Sequence, residues 1–115
     1  MADSKLRDLS TDFAVKVIKI CDSIKCHYSL VNQLERSSTS IGANIHEANY
    51  GQSKADFVSK MHIALKETAE TEYWLKLLTM SEYITEDMGQ SLLKDCLEIK
   101  RMLIASINTA KSTNP

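Results

Sequence analysis

Arg36-Ser37-Ser38-Thr39-Ser40-Ile41-Gly42-Ala43-Asn44-Ile45-His46-Glu47, residues 36–47, is the stretch that decides how this chain folds. Two readings compete for it. By propensity it is a loop, because serines and threonines favour turns and a glycine inside a helix costs about 1 kcal/mol against alanine. By periodicity it is a helix, because Leu30, Leu34, Ile41, Ile45 and Ala48 step by helical intervals onto one stripe. The periodicity runs straight through the hydroxyl run and predicts one continuous helix over residues 30–50. Its small residues then let another helix approach closely.

Outward from that stretch the same pattern recurs. Asn49-Tyr50-Gly51-Gln52-Ser53 reads as a tight link, with Gly51 as a natural C-cap and Ser53-Lys54-Ala55-Asp56 as a capping arrangement that carries Asp where Glu is usual. Phe57, Met61, Leu65, Thr68 and Leu75 form the inward stripe of a helix over 54–80. Ile63, Trp74 and Leu77 fall on its far side, so this helix is apolar on two faces and offers an interaction patch. Upstream, Leu6, Leu9, Phe13, Val17, Ile20 and Ile24 make an amphipathic helix over 4–25. Downstream, Thr85-Glu86-Asp87 starts a helix over 86–110 whose stripe begins at Met88, Leu92 and Cys96. Four helices with short links predict one all-α domain over residues 1–115, an antiparallel up-down-up-down four-helix bundle.

Composition agrees and sets limits on function. The chain has 115 residues with one proline, its last residue, and three glycines, too little turn punctuation for a sheet protein. A net charge of −1 is a poor starting field for gripping phosphate backbones. Cys21, Cys26 and Cys96 are an odd set without CxxC spacing, read as small buried hydrophobes in a reducing compartment. No apolar run approaches the roughly 20 residues of a membrane span, and the polar N-terminus lacks a signal-peptide core. The expectation is a cytoplasmic protein without a membrane partner.

Catalytic and metal chemistry find no footing. Bundle di-metal sites use Glu-x-x-His pairs, and this sequence has none. Folding the hairpin about Gly51 leaves His46 and His62 more than a turn apart, as surface histidines. There is no strained Gly-x-Ser-x-Gly elbow, no glycine-rich phosphate loop, and no acid to orient Cys26-His27. The sequence is therefore read as no enzyme and as needing no cofactor.

The polar residues of the hairpin carry more information. Arg36 and Glu47 lie together, opposite the Leu34, Ile41 and Ile45 stripe, with Asn44 at the core edge. The hairpin register sets Arg36 level with Glu67 and within about a turn of Glu70. An ion pair to either is expected, within one chain or across a subunit boundary. Glu72 shares the stripe of Met61 and Leu65, where a bare carboxylate costs several kcal/mol. Either it sits near the bundle end with access to water, or a donor such as Tyr28 reaches it.

Together these residues resemble a known family. Leu34-Glu35-Arg36-Ser37-Ser38, Ser40-Ile41-Gly42-Ala43-Asn44-Ile45-His46-Glu47, Phe57, Ile63-Ala64-Leu65 and Glu70-Thr71-Glu72 follow the pattern of bacterial four-helix-bundle proteins encoded in intervening sequences of large-subunit (23S) ribosomal RNA genes. The accessory proteins of diversity-generating retroelements are similar. The resemblance implies a four-helix bundle, commonly a homopentamer, with no catalytic activity of its own; its retroelement branch implies binding to nucleic acid, so RNA or DNA is the candidate partner. Carried over, Arg36, Asn44, Glu47, Glu70 and Glu72 are its signature polar positions with a structural role, and Trp74 joins them on the assembly surface. The alternatives are a retroelement accessory protein that binds nucleic acid and reverse transcriptase, or a plain protein-interaction scaffold.

Overall fold

The computed structural model describes residues 4–112. They form four helices, α1 (Ser4–Ser23), α2 (Tyr28–Ala48), α3 (Lys54–Met80) and α4 (Glu86–Ser112), with no strand among the described residues. α1 packs on α2, α2 on α3, α3 on α4, and α4 returns to α1 through the thinnest of the four seams. The result is an elongated four-helix bundle, 49 × 21 × 19 Å.

The contested stretch is helical throughout. Ser37, Ser38, Ile41, Gly42 and Ile45 are all buried on α2. Burying hydroxyls is costly unless each finds an acceptor, and here each turns back onto its own helix. Ser37 Oγ donates to Leu34 O at 3.3 Å and Ser38 Oγ to Glu35 O at 3.1 Å. Neighbouring helices do the same: Ser10 Oγ donates to Arg7 O at 2.9 Å, Thr68 Oγ1 to Ala64 O at 2.8 Å and Thr71 Oγ1 to Glu67 O at 2.8 Å. A short side chain that satisfies itself leaves room for a neighbour. A methyl group at Gly42 would already touch Ser10 Oγ at 3.5 Å, so α1 crosses α2 at close range. Across the α2–α3 seam the Thr71 and Ser37 hydroxyls meet at 2.9 Å.

Around this polar belt the core is apolar. Leu6, Phe13 and Val17 from α1 meet Leu34, Ile41 and Ile45 from α2, Met61, Leu75 and Leu78 from α3, and Leu92, Ile99 and Leu103 from α4. At roughly 25 cal/mol per Å² of apolar surface removed from water, each such side chain stabilises the fold by about 1.5–3 kcal/mol. Several of the expected positions shift by one residue, among them Met88, which is exposed while Gly89 is buried in its place on α4. Ala64 and Thr71 are buried on α3, whereas Leu65 is only partly covered. On α2, Val31 takes the core position and Leu30 packs at its edge.

The helix ends follow local chemistry. Ser53 caps α3, its Oγ accepting from Asp56 N–H at 3.1 Å, while Asp56 Oδ2 accepts from Gln52 N–H at 3.3 Å. Thr85 Oγ1 accepts from Met88 N–H at 3.2 Å at the start of α4. Gly51 is not the left-handed cap that its position suggested. No described glycine has a positive φ, and α2 ends on Asn49 in right-handed geometry. Gly51 instead spares space, because a Cβ there would press to 3.2 Å on Ala48 O and Asp56 Cβ. The left-handed positions are His27 (φ 52°) and Glu82 (φ 67°), in the two links at the other end of the bundle. His27 Nε2 and Tyr83 Oη, 2.6 Å apart, tie those links together.

Gly89 is a point of close approach between α4 and α3. A Cβ there would lie 2.8 Å from Thr79 Cγ2 and closer still to its Oγ1, and that hydroxyl is held by Leu75 O at 2.6 Å. Thr79 is β-branched and cannot swing away without losing that bond. Gly89→Ala is therefore expected to destabilise the chain by about 1–3 kcal/mol despite alanine's better helix propensity, as overpacking does. Urea unfolding of the two chains checks it, and equal midpoints would contradict the close contact.

Candidate functional site

Charged side chains close three of the four seams. Lys16 Nζ on α1 meets Asp95 Oδ2 on α4 at 3.1 Å. Between α2 and α3, Arg36 lies opposite two carboxylates, as its register predicts. Its Nη1 donates to both Glu67 oxygens, at 3.2 and 3.4 Å, its Nη2 pairs with Glu70 Oε2, and its Nε donates to Gln33 Oε1 at 3.3 Å. Both pairs are made within one chain. A second α2–α3 pair sits nearer the link, Lys60 Nζ to Glu47 Oε1 at 2.9 Å.

Trp74 belongs to the Arg36 cluster. Its indole N–H donates to Glu70 Oε2 at 2.9 Å, and its ring packs partly against the core. This corrects the expectation of an exposed patch around Trp74. A bundle helix has two neighbours, and the flank of α3 that bears Trp74 faces α2. Only Ile63, of the three residues assigned to that patch, is properly exposed. Tyr73, beside Trp74 with ring centroids 5.0 Å apart, stands in solvent.

Glu72 is reached by a donor from a neighbouring helix, though not by Tyr28, which is exposed. Its partner is Lys100 on α4, with Nζ 2.7 Å from Oε1. That oxygen is buried and makes no aligned hydrogen bond, so the contact is an attraction of charges without hydrogen-bond geometry. Asn44 is partly buried and spends its Nδ2 on Ser40 O at 2.8 Å, within its own helix. Arg36, Glu47, Glu70 and Trp74 are thus brought together along the α2–α3 seam with Asn44 beside them, whereas Glu72 serves the α3–α4 seam.

Among the described residues no three His, Cys, Asp or Glu side chains gather as a metal group. His46 and His62 are exposed, and His46 Nδ1 lies 2.9 Å from Gly42 O. Two cysteines are buried as expected, and burial above all pushes their thiols up, to about 11 for Cys21 and about 12 for Cys96. Thiols held neutral are poor nucleophiles. Cys26, expected to be buried, is exposed in the α1–α2 link. No helix is long and apolar enough to cross a membrane among the described residues. A cleft of about 660 Å³ lies at the end of the bundle beside the α2–α3 link. Phe57 and Met102 line it, and none of the Arg36 cluster does.

The Arg36 cluster does respond to acid. The Trp74 N–H first, and the Arg36 guanidinium second, hold the Glu70 carboxyl below its usual value of 4.5, while Glu70 raises Arg36. A carboxyl depressed by folding stabilises the folded state above its unfolded pKa, and that stability is lost as pH falls through the folded pKa. Exposure limits the effect to about 0–1 kcal/mol per pair. Glu70→Gln is expected to lower stability slightly at neutral pH and to flatten the acid limb below about pH 4.5. Thermal melts across pH 3–7 check it, and parallel curves for the two chains would show that the cluster does not contribute.

The model of the 23S rRNA-intervening sequence protein family matches residues 2–105. A crystal structure of a protein of unknown function from the S23 ribosomal protein family of Bacteroides thetaiotaomicron VPI-5482 superposes with a TM-score of 0.87 at 44% identity. The match covers 94% of this chain and 99% of that one. No curated protein matches the chain. A matched stretch that takes in α1, α2, α3 and most of α4 is enough to decide the matter: this chain belongs to the family of 23S rRNA-intervening sequence proteins.

Proposed function

We propose that this chain is a non-enzymatic bundle that self-associates, a homopentamer by its family resemblance, and works in association with RNA. The observation that carries the reading is how the signature polar residues are spent. Arg36, Glu47, Glu70 and Glu72 are each engaged by a partner from a neighbouring helix of the same chain. Side chains that staple helices together are not free to transfer protons or attack a substrate. What the molecule offers to others is surface, and that surface carries large apolar side chains on α1, α3 and α4, Val15, Ile63 and Leu97 among them. Family membership, whose name refers to an intervening sequence of ribosomal RNA, supplies the link to RNA.

Light scattering tests the assembly. Five chains of 12.9 kDa would weigh about 65 kDa, as a closed homo-oligomer of discrete mass. A species that stays at 12.9 kDa at high concentration would overturn the oligomeric reading. RNA association is tested by titration at several salt concentrations, where binding to phosphates weakens with salt. Absence of binding at low salt would remove the RNA role and leave a protein scaffold.

A further inference from the structure

Two exposed stripes on opposite sides of the charge balance have no occupant within the chain. On α1, Asp8, Asp12, Val15, Ile18 and Asp22 follow one another at helical intervals on the outer surface, all exposed. On α4, Lys94, Leu97, Arg101, Ile104 and Lys111 do the same. The apolar members are well exposed, Val15 at 45%, Ile18 at 39%, Leu97 at 46% and Ile104 at 42%. None of these acids or bases makes an ion pair among the described residues. The α4 stripe has one carboxylate at its edge, the exposed Glu98, four residues after Lys94 and three before Arg101. Asp95 turns instead to α1 and Lys16. The α1 stripe sets two exposed cations beside its three acids, Lys19 next to Val15 and Lys5 three residues before Asp8.

We infer that the α1 stripe of one copy docks on the α4 stripe of the next, pairing acids with bases alongside the exposed apolar side chains of both. This rests on the self-association proposed above and names the surfaces that perform it. Length agrees: at 1.5 Å per residue, Asp8 to Asp22 spans about 21 Å and Lys94 to Lys111 about 25 Å. Area agrees too. The long side of a 49 × 21 Å molecule can seat the roughly 800 Å² per partner of a standard interface. A second copy is favoured over a polyanion because it satisfies both stripes at once. Nucleic acid on α4 would leave Leu97 and Ile104 unmatched and the acids of α1 unpaired. Because the two patches differ, the contact is heterologous and each copy keeps one free patch for a further copy until a ring closes.

Exchange of charge tests this pairing. Asp8→Lys with Asp12→Lys, and separately Lys94→Glu with Arg101→Glu, are each expected to weaken association at least about a hundredfold by setting like charges face to face. All four substitutions in one chain restore opposite charges, and association is expected to return. A contact of like with like through α4 would not be rescued in this way. Circular dichroism confirms that each variant remains helical. If a reversed chain does not, Asp8→Asn with Asp12→Asn reads the same direction more weakly. Wild-type assembly that neither pair of reversals disturbs, or that the fourfold variant fails to recover, would overturn the docking inference alone. A wild-type chain that never associates would overturn the preceding proposal instead.

Discussion

The bundle depends on one constraint, that the buried middle of α2 must be both small and self-sufficient in hydrogen bonds. Ser37 and Ser38 meet it by returning their hydroxyls to Leu34 O and Glu35 O. Each costs little to bury because its donor is already used. Larger apolar residues there would hold α1 and α3 away, and unbonded polar ones would cost about 1–3 kcal/mol each. Ser10 on α1 and Thr68 and Thr71 on α3 satisfy the same condition. The close crossings allow Phe13, Ile41 and Leu75 to fill the remaining interior without exposed edges.

Charge is used sparingly, at the seams. Arg36 spans Glu67 and Glu70 while Trp74 fixes Glu70 from the other side, so a partly exposed carboxylate is held by two donors. Such pairs add little energy each but disfavour wrong registers, since sliding α3 by one turn along α2 would place Arg36 against Ile63 and Lys66 in one direction and Thr71 and Trp74 in the other. Glu72 and Lys100 set α3 against α4 in the same manner, and Lys16 and Asp95 set α4 against α1. At the α1–α2 crossing small side chains take over that task, with Gly42 beside Ser10.

Much of this was legible before any coordinates, and for a physical reason. Helical periodicity is local, so the continuity of α2 through Ser37–Gly42 could be read against propensity. The α2–α3 link is short, so counting back from it set Arg36 opposite Glu67 and Glu70. The Glu72–Lys100 pair escaped because the α3–α4 link fixes its register less directly, and no motif marks Lys100. Trp74 was misplaced because a helical wheel assigns one inside and one outside, whereas α3 has flanks against both α2 and α4. Cys26 lay just past the end of α1, where the apolar stripe no longer says which way a side chain faces. The Gly89–Thr79 contact left no trace at all, since a glycine near a helix start has several ordinary explanations.

The thin seam between α1 and α4 has a consequence for how the molecule opens. Local unfolding follows the distribution of contacts, and the element with the fewest separates first. α1 meets the rest of the bundle mainly through α2, so its backbone amides are expected to be among those that exchange with solvent at low energetic cost. It is also the helix that bears the acidic stripe. A surface that covered α1 from outside would therefore do more than join two molecules. It would supply the fourth wall that the isolated chain builds weakly, and raise the protection of α1 toward that of the other three helices.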